Sequence, residues 1–303
     1  MGKSQAIFAT AQKYPFLARP LVRGACSLSV IMGRRPHWAL MRLKEILQIR
    51  LNRRMNVDGF VIEVDPLDGP GSRFQRDGLT EPETHALFEE VLKPGMVMID
   101  IGAYIGEFSL VAARAMQGIG RILCLEPTPS VFAQLERNLK RNAWSNVEAI
   151  HSAVSDYDGT ATFYVRIGSN DQSSLHPLAP GEQISYNVPV TTVDALVART
   201  RLERLDLMKV DVEGHEISVL RGALEMLRRF RPALVIEISR HQRAVGYSGA
   251  AIKAFLDELN YDSFRLEAGG RVPYLPAPGE INESISHFNI LALPQKSDGS
   301  AGA

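Results

Sequence analysis

The sequence predicts an α/β fold: a doubly wound, mostly parallel seven-stranded sheet with helices on both faces, preceded by a basic, partly helical extension. Three observations carry this. From residue 97 onward, short continuously apolar runs alternate with amphipathic helical patterns, as expected for strands buried on both faces of a parallel sheet. A glycine turn, Gly102 to Gly106, joins the first of those strands to a helix. Basic residues crowd into positions 1–54, which hold 11 of the 34 Lys and Arg but only one acid, Glu45; 23 basic and 33 acidic residues remain for the body.

The chain has 303 residues, 45% hydrophobic and 22% charged, with zero formal net charge. This is the composition of a globular protein, and whole-molecule charge points to no polyanionic partner. Cys26 and Cys124 form no disulfide framework, which fits a reducing, cytoplasmic setting. No apolar run reaches the roughly 18–20 residues of a membrane span. The N-terminus carries targeting-like fragments that fail in detail. Met1-Gly2 lacks Ser or Thr at position 6, and Arg19 and Arg23 interrupt the apolar stretch before Gly24-Ala25-Cys26.

In chain order, residues 1–35 show no sustained period and read as a short helix with a flexible arm. Residues 38–55 read as an amphipathic basic helix, suited to packing on the domain, to a homodimer contact or to a peripheral membrane surface. Residues 60–64 form a strand. Thr80 and Glu83 then make a capping box for a helix that Pro82 begins and Pro94-Gly95 ends. Strands are expected at 97–101, 121–125, 147–150, 205–210, 233–238, 261–266 and 286–293. Helices are expected at 107–116, 129–141, 217–230 and 250–259. Two further strands, 160–165 and 184–191, and a short helix, 193–200, interrupt the alternation. The long loops 168–181 and 269–282 are placed to shape a pocket. The extension ends at 55, the domain spans 56–295, and 296–303 is a polar tail.

Ligands in such sheets bind beyond the carboxyl ends of the strands. After the first strand comes Asp100-Ile101-Gly102-Ala103-Tyr104-Ile105-Gly106. A dinucleotide fingerprint needs a third glycine, which is absent here. An acid two residues before a glycine turn suits an amino-acid-bearing cofactor, S-adenosylmethionine. Asp100 faces its ammonium, directly or through water, and the backbone N–H groups of 103–106 face its carboxylate. Glu126-Pro127, one β-α-β unit on, offers a carboxylate to a ribose diol. Ser152 and Ala153 leave room for an adenine. After the fourth strand, Lys209-Val210-Asp211-Val212-Glu213-Gly214-His215-Glu216 is the densest polar cluster in the chain. Asp211, Glu213 and His215 are the candidates to orient an acceptor hydroxyl and take its proton, with Glu237 and His241 as neighbours. Asp211, Glu213 and Glu237 also form an oxygen set able to hold Mg²⁺.

These runs together, IDIGAYIGEFSL, CLEPTPSVFAQLERNLKRN, SAVSDYDG, SSL at 173–175, TTVDAL and LMKVDVEGHEISVLRGA followed by RPALVIEI, resemble the FkbM-type methyltransferases. The resemblance covers about 77–238. It implies a class I S-adenosylmethionine-dependent fold and, most often, O-methylation of a hydroxyl on a sugar, polyketide or related metabolite. It places Asp100, Gly102, Gly106 and Glu126 on cofactor positions, and Asp211, Glu213 and Glu216 on the family's acidic motif. Tyr104 departs from the Asn common there. An N-methyltransferase of nucleic acid is disfavoured by the absence of an Asn/Asp-Pro-Pro-aromatic run and by the acidic pocket. A non-catalytic docking protein and an NAD enzyme are the remaining alternatives.

Overall fold

Four strands buried along nearly their whole length, Val97–Ile101, Arg121–Leu125, Leu207–Val210 and Ala233–Ser239, form the centre of the sheet. The computed structural model describes residues 11, 13–32, 38–47, 49, 51, 53–57, 59–67, 74, 78–167, 173–176, 183–244, 247–277 and 287–295. The proposed tail 296–303, and parts of the loops 168–181 and 269–282, lie outside these residues.

The chain begins with helices α1 (Pro15–Ile31) and α2 (Trp38–Ile46), then the hairpin β1 (Arg53–Val57) and β2 (Phe60–Val64). Next come α3 (Pro82–Val91), β3 (Val97–Ile101), α4 (Glu107–Ala115), β4 (Arg121–Leu125), α5 (Pro129–Asn142) and β5 (Val147–Ile150). A three-stranded sheet follows, with β6 (Ala153–Val154), β7 (Gly159–Arg166) and β8 (Gln183–Thr191). The main sheet resumes through α6 (Val193–Thr200), β9 (Leu207–Val210), α7 (Glu216–Arg221), α8 (Leu224–Phe230) and β10 (Ala233–Ser239). It closes with α9 (His241–Ala244), α10 (Gly249–Glu258), β11 (Tyr261–Glu267), β12 (Gly270–Pro273) and β13 (His287–Pro294).

The main sheet runs β12-β11-β13-β10-β9-β3-β4-β5. Strands β5, β4, β3, β9 and β10 are mutually parallel, and β13 runs against both β10 and β11. From β3 the chain moves outward to β4 and later returns to β9 on the other side, so the topological switch lies between β3 and β9. Side-chain alternation assigns the two faces. Ile99, Ile101, Met208 and Ile236 join Leu196, Leu220, Leu227 and Ile252 of the helices on one side. Met98, Cys124 and Val235 join Phe88, Leu110 and Leu135 on the other. Cys26 and Cys124 are free and buried, and burial raises the Cys124 thiol pKa, consistent with an inert apolar role.

The structure differs from the sequence reading at five places. The sheet has eight strands, because β12 folds back on β11 with Glu267 paired to Gly270. All four residues of β12 are exposed, so no apolar pattern marks it. The helix expected over 38–55 stops at Ile46, and Arg53–Val57 pairs along its length with β2, so a domain boundary at 55/56 falls inside a hairpin. Pairing across the Gly59 turn overrides local helical spacing there. Residues Pro15–Ile31 form a 17-residue helix despite the internal Pro20. Thr80 is not a helix cap: Glu81 holds the N-cap in left-handed conformation, and the Thr80 hydroxyl donates to Glu107 Oε2 at 3.0 Å. The helix expected over 217–230 breaks at Gly222, where a Cβ would sit 2.1 Å from the Ser155 carbonyl.

Helix α5 anchors the outer hairpin through three amide side chains spaced one turn apart. Asn142 accepts from Val61 N and donates to Val61 O, Asn138 does the same for Glu63, and Gln134 adds a bond to Glu63 O. Asn138 also donates to Ile105 O at 2.8 Å, tying the hairpin to the glycine turn. The N-terminal helices connect to the body through a buried Lys44–Asp65 ion pair of 3.0 Å. Helix α1 leaves Phe16, Leu17, Leu21 and Leu28 exposed. Among the described residues, no helix is long and apolar enough to cross a membrane.

Replacing Asn138 by Ala strands buried backbone groups of both Glu63 and Ile105. Asn138→Ala is expected to cost about 2–3 kcal/mol, read as a lower urea midpoint; an unchanged midpoint would remove the amide stripe from the account of how the hairpin is held.

Candidate active site

The carboxyl ends of β3, β4, β9 and β10 open into one cavity of about 600 Å³. Gly102, Ala103, Tyr104, Ile105, Glu126, Pro127, Ser152, Ala153, Asp211, Glu213 and His215 all line it. The expected groups from four separate segments therefore meet in one place. Asp100 and Gly106 are not among the lining residues.

Gly102 has φ +79°, and a Cβ on it would lie 1.8 Å from the Asp211 carbonyl oxygen. Only glycine permits that approach. The turn then closes on itself: Ala103 N donates to Leu125 O at 2.9 Å, Tyr104 N to Glu126 Oε2 at 3.2 Å and Gly106 N to Ala103 O at 2.8 Å. Three of the four amides expected to meet a ligand carboxylate, those of Ala103, Tyr104 and Gly106, are thus committed within the protein. The turn supplies one floor of the cavity, bare at Gly102 and bounded by Ala103, Tyr104 and Ile105. Tyr104 itself adopts φ +50°. Gly106 has a packing role, since a Cβ there would meet Leu135 Cδ1 at 2.7 Å.

Asp100 also needs correction. Strand alternation points it to the α4 face, where it is fully buried and its Oδ2 accepts from Ser109 Oγ at 2.6 Å. Burial raises its pKa, against the opposing pull of Lys209. It acts beneath the turn. Glu126 sits where the sequence places it, at the end of β4. Its Oε1 accepts from Thr128 N at 2.7 Å and its Oε2 from Tyr104 N, which fixes the carboxylate at the cavity wall. Ser152 and Ala153 form the wall beside it, joined by Phe163 of β7 and by Ser173 and Leu175. The Ser152 hydroxyl is occupied by backbone carbonyls of Ala153 and Pro189.

The opposite side of the cavity is acidic. Lys209 is buried, and its Nζ donates to Asp211 Oδ2 at 2.7 Å. Burial disfavours its charge, yet Asp211, Glu81 and Asp100 outweigh that and raise its pKa. Glu213 lies in left-handed backbone with φ +55° and pairs with His241 Nδ1. Glu237, at the end of β10, lines the cavity while only 7% exposed. Burial first, then Asp211 and Glu213, raises its pKa well above the usual carboxylate range. Glu216 is turned inward, accepting from Gly214 N at 3.1 Å and Gln242 Nε2 at 3.0 Å, and braces the loop instead of facing the cavity.

His215 does not present a free nitrogen to an acceptor. Ser155 Oγ donates to Asp156 Oδ1 at 3.1 Å and lies 2.8 Å from His215 Nε2, which assigns the proton to Nε2. His215 Nδ1 then accepts from His176 Nε2 at 3.1 Å. Burial and the neighbouring His176 lower the His215 pKa from 6.5 to about 4. The ring cross-links two walls, which corrects its expected role as a base.

Sequence reasoning missed Glu81, Glu107 and Phe163 on the cavity wall. Glu107 accepts from Thr80 N, Thr80 Oγ1 and His85 Nε2, fastening the segment before α3 over the turn. Its position at the first residue of α4 was a visible sign of a fixed carboxylate.

The family description "Methyltransferase FkbM domain" matches residues 100–263, more than half of the chain. "Methyltransferase 1" of Beauveria bassiana is 32% identical over 143 residues, covering 41% of this chain and 57% of that protein. The "31-O-demethyl-FK506 methyltransferase FkbM" of Streptomyces tacrolimicus is 27% identical over 161 residues, covering 43% of this chain and 60% of that protein. The chain thus spans less than two thirds of either relative's length. A crystal structure of methyltransferase FkbM from Methylobacillus flagellatus KT aligns with 17% identity and a TM-score of 0.45, over 70% of this chain and 50% of that one. The match over residues 100–263 runs from the glycine-turn strand through the acidic loop and beyond β10, and on it the chain belongs to the FkbM methyltransferase domain family.

Proposed function

We propose that the protein is an S-adenosylmethionine-dependent O-methyltransferase acting on a hydroxyl of a small molecule or glycan. The observation that carries this is the distribution of polar groups around the cavity at the strand ends. The glycine turn and the fixed Glu126 carboxylate line it beyond β3 and β4, and Asp211, Glu213, Glu237 and His241 line it beyond β9 and along the end of β10. The Streptomyces relative is named for a 31-O-demethyl acceptor, which supports oxygen as the methylated atom.

S-adenosylmethionine would supply an electrophilic methyl group when bound. Glu126, a carboxylate fixed at the cavity wall at the end of β4, is suited to accept from the ribose hydroxyls, and Ser152, Ala153 and Phe163 to bound the adenine. About 600 Å³ is within the range of pockets that enclose ligands of this size. On the acceptor side, Asp211 is held by Lys209 and accepts from the incoming hydroxyl. His241, oriented by Glu213 through Nδ1, is placed to take the acceptor's hydroxyl proton. Methyl transfer would exchange the cofactor's carbon–sulfur bond for a carbon–oxygen bond, and His241 would hold the acceptor's proton. Proton passage from His241 to solvent completes the turnover.

Calorimetry tests the cofactor. S-adenosylhomocysteine should bind and NAD should not; the reverse result sinks the proposal. Glu126→Ala should weaken that binding by about 1–3 kcal/mol through unpaired hydroxyls, and unaltered affinity would take Glu126 out of the ribose site.

His241→Gln should lower kcat by about 10²–10⁴-fold while leaving S-adenosylhomocysteine affinity in place. His215→Asn should slow the reaction far less. Equal losses from the two variants would return the proton-accepting role to His215.

His215 also predicts a pH effect on stability. The folded protein holds it neutral, with a pKa lowered to about 4 from 6.5, so the unfolded chain binds more protons between those values. Its stabilising contribution is present above pH about 6.5 and lost as pH falls toward 4. The buried acids with raised pKa values act in the opposite sense, so the measurement is the difference between wild type and His215→Asn. That difference should shrink on acidification; a difference independent of pH would contradict the assignment.

A further inference from the structure

We propose that Asp211, Glu213 and Glu237 bind one divalent cation of the Mg²⁺ or Mn²⁺ type at the acceptor end of the cavity. One carboxylate oxygen from each residue lies within 4.8 Å of the others. Oxygen ligands at roughly 2.0–2.6 Å from a shared cation lie up to roughly 4–5 Å apart, so the three reach one ion with small side-chain adjustments. The three residues come from different places, Asp211 from the end of β9, Glu213 from the following turn and Glu237 from the end of β10. The parallel pairing of β9 with β10 brings them together.

Glu237 supplies the independent sign that a ligand belongs here. Its residue is more than nine-tenths buried, it lines the cavity, and its Oε2 has no hydrogen-bond partner among the described residues. Buried polar atoms are satisfied in nearly all native sites, and an orphaned carboxylate oxygen calls for a partner. Within the protein, two of the three carboxylates already have a partner: Lys209 on Asp211, and the His241 imidazole on Glu213. Those two contacts hold two of the carboxylates in place without reaching Glu237. A hard cation satisfies the orphaned oxygen and offsets the mutual repulsion of three carboxylates, and the carboxylate-only donor set favours Mg²⁺ or Mn²⁺ over softer metals. Ions of this kind retain open positions for water or an acceptor oxygen. The role of the ion in activating a hydroxyl rests on the methyl-transfer reading; its binding does not.

The test uses the full chain, stripped with EDTA and desalted, titrated with Mn²⁺ while free Mn²⁺ is followed by electron paramagnetic resonance. One Mn²⁺ should bind per chain and be displaced by Mg²⁺. Glu237→Gln and Asp211→Asn should each weaken uptake at least tenfold, with a cooperative thermal transition showing that the fold is retained. S-adenosylhomocysteine calorimetry on the same samples separates the two readings. Normal S-adenosylhomocysteine binding with no Mn²⁺ uptake overturns the cation site and leaves methyl transfer standing. Undiminished uptake in both variants also overturns it. Uptake lost in the variants, in a protein that binds no S-adenosylhomocysteine, supports the cation site and removes the methyl-transfer reading.

Discussion

The contact of Gly102 with the Asp211 carbonyl holds the cavity together. Asp211 N donates to Ile101 O at 3.0 Å, continuing the parallel ladder between β3 and β9 to the very end of both strands. Any side chain on Gly102 would drive the two strand ends apart. Because the topological switch lies here, the residues after β3 and β4 serve one end of the cavity and those after β9 and β10 the other. A second close approach repeats the device. Gly214, at φ +101°, packs against the His241 backbone, where a Cβ would lie at 2.9 Å, and so brings the Glu213 turn beside α9.

The electrostatics follow from that packing. Lys209 is a strand residue buried beneath the cavity, with its Nζ 4.6 Å from the centre of the Phe108 ring. An isolated ammonium there would be costly, and its three acidic neighbours make it tolerable. Lys209 in turn fixes the direction of Asp211 through its 2.7 Å contact with Oδ2. Glu237 receives no such partner and carries the repulsion of the cluster. The acidic end therefore has one carboxylate fixed by a cation, one fixed by an imidazole and one left for a ligand.

Around this centre, neutral polar side chains do the fastening. Gln134, Asn138 and Asn142 bind the backbone of β2 as another strand would, which satisfies its edge. Glu107 fastens the segment before α3 through Thr80 and His85. His215 and His176 bridge the acidic loop to the residues after β6 and β7. In each case the partners are far apart in sequence, so the walls of the cavity are held by the fold as a whole.

What the sequence determined by itself was the set of local patterns. Largely apolar runs located β3, β4, β9 and β10 because burial on both faces admits little else. The glycine turn, Glu126 and the cluster at 209–216 were legible as a site because strand ends in this topology share one edge. β12 stayed hidden because its residues are exposed and carry no alternation, and β1 because its spacing also suits a helix. Tertiary structure alone decided which groups face the cavity. Asp100 turns beneath the turn because strand alternation and Ser109 draw it to the α4 face. His215 is occupied because Ser155 and His176, 60 and 39 residues away, close on both of its nitrogens. Glu237 and His241 join Asp211 and Glu213 only when β10 pairs with β9. A side chain's direction and protonation depend on neighbours that the fold supplies, and no local pattern carries them.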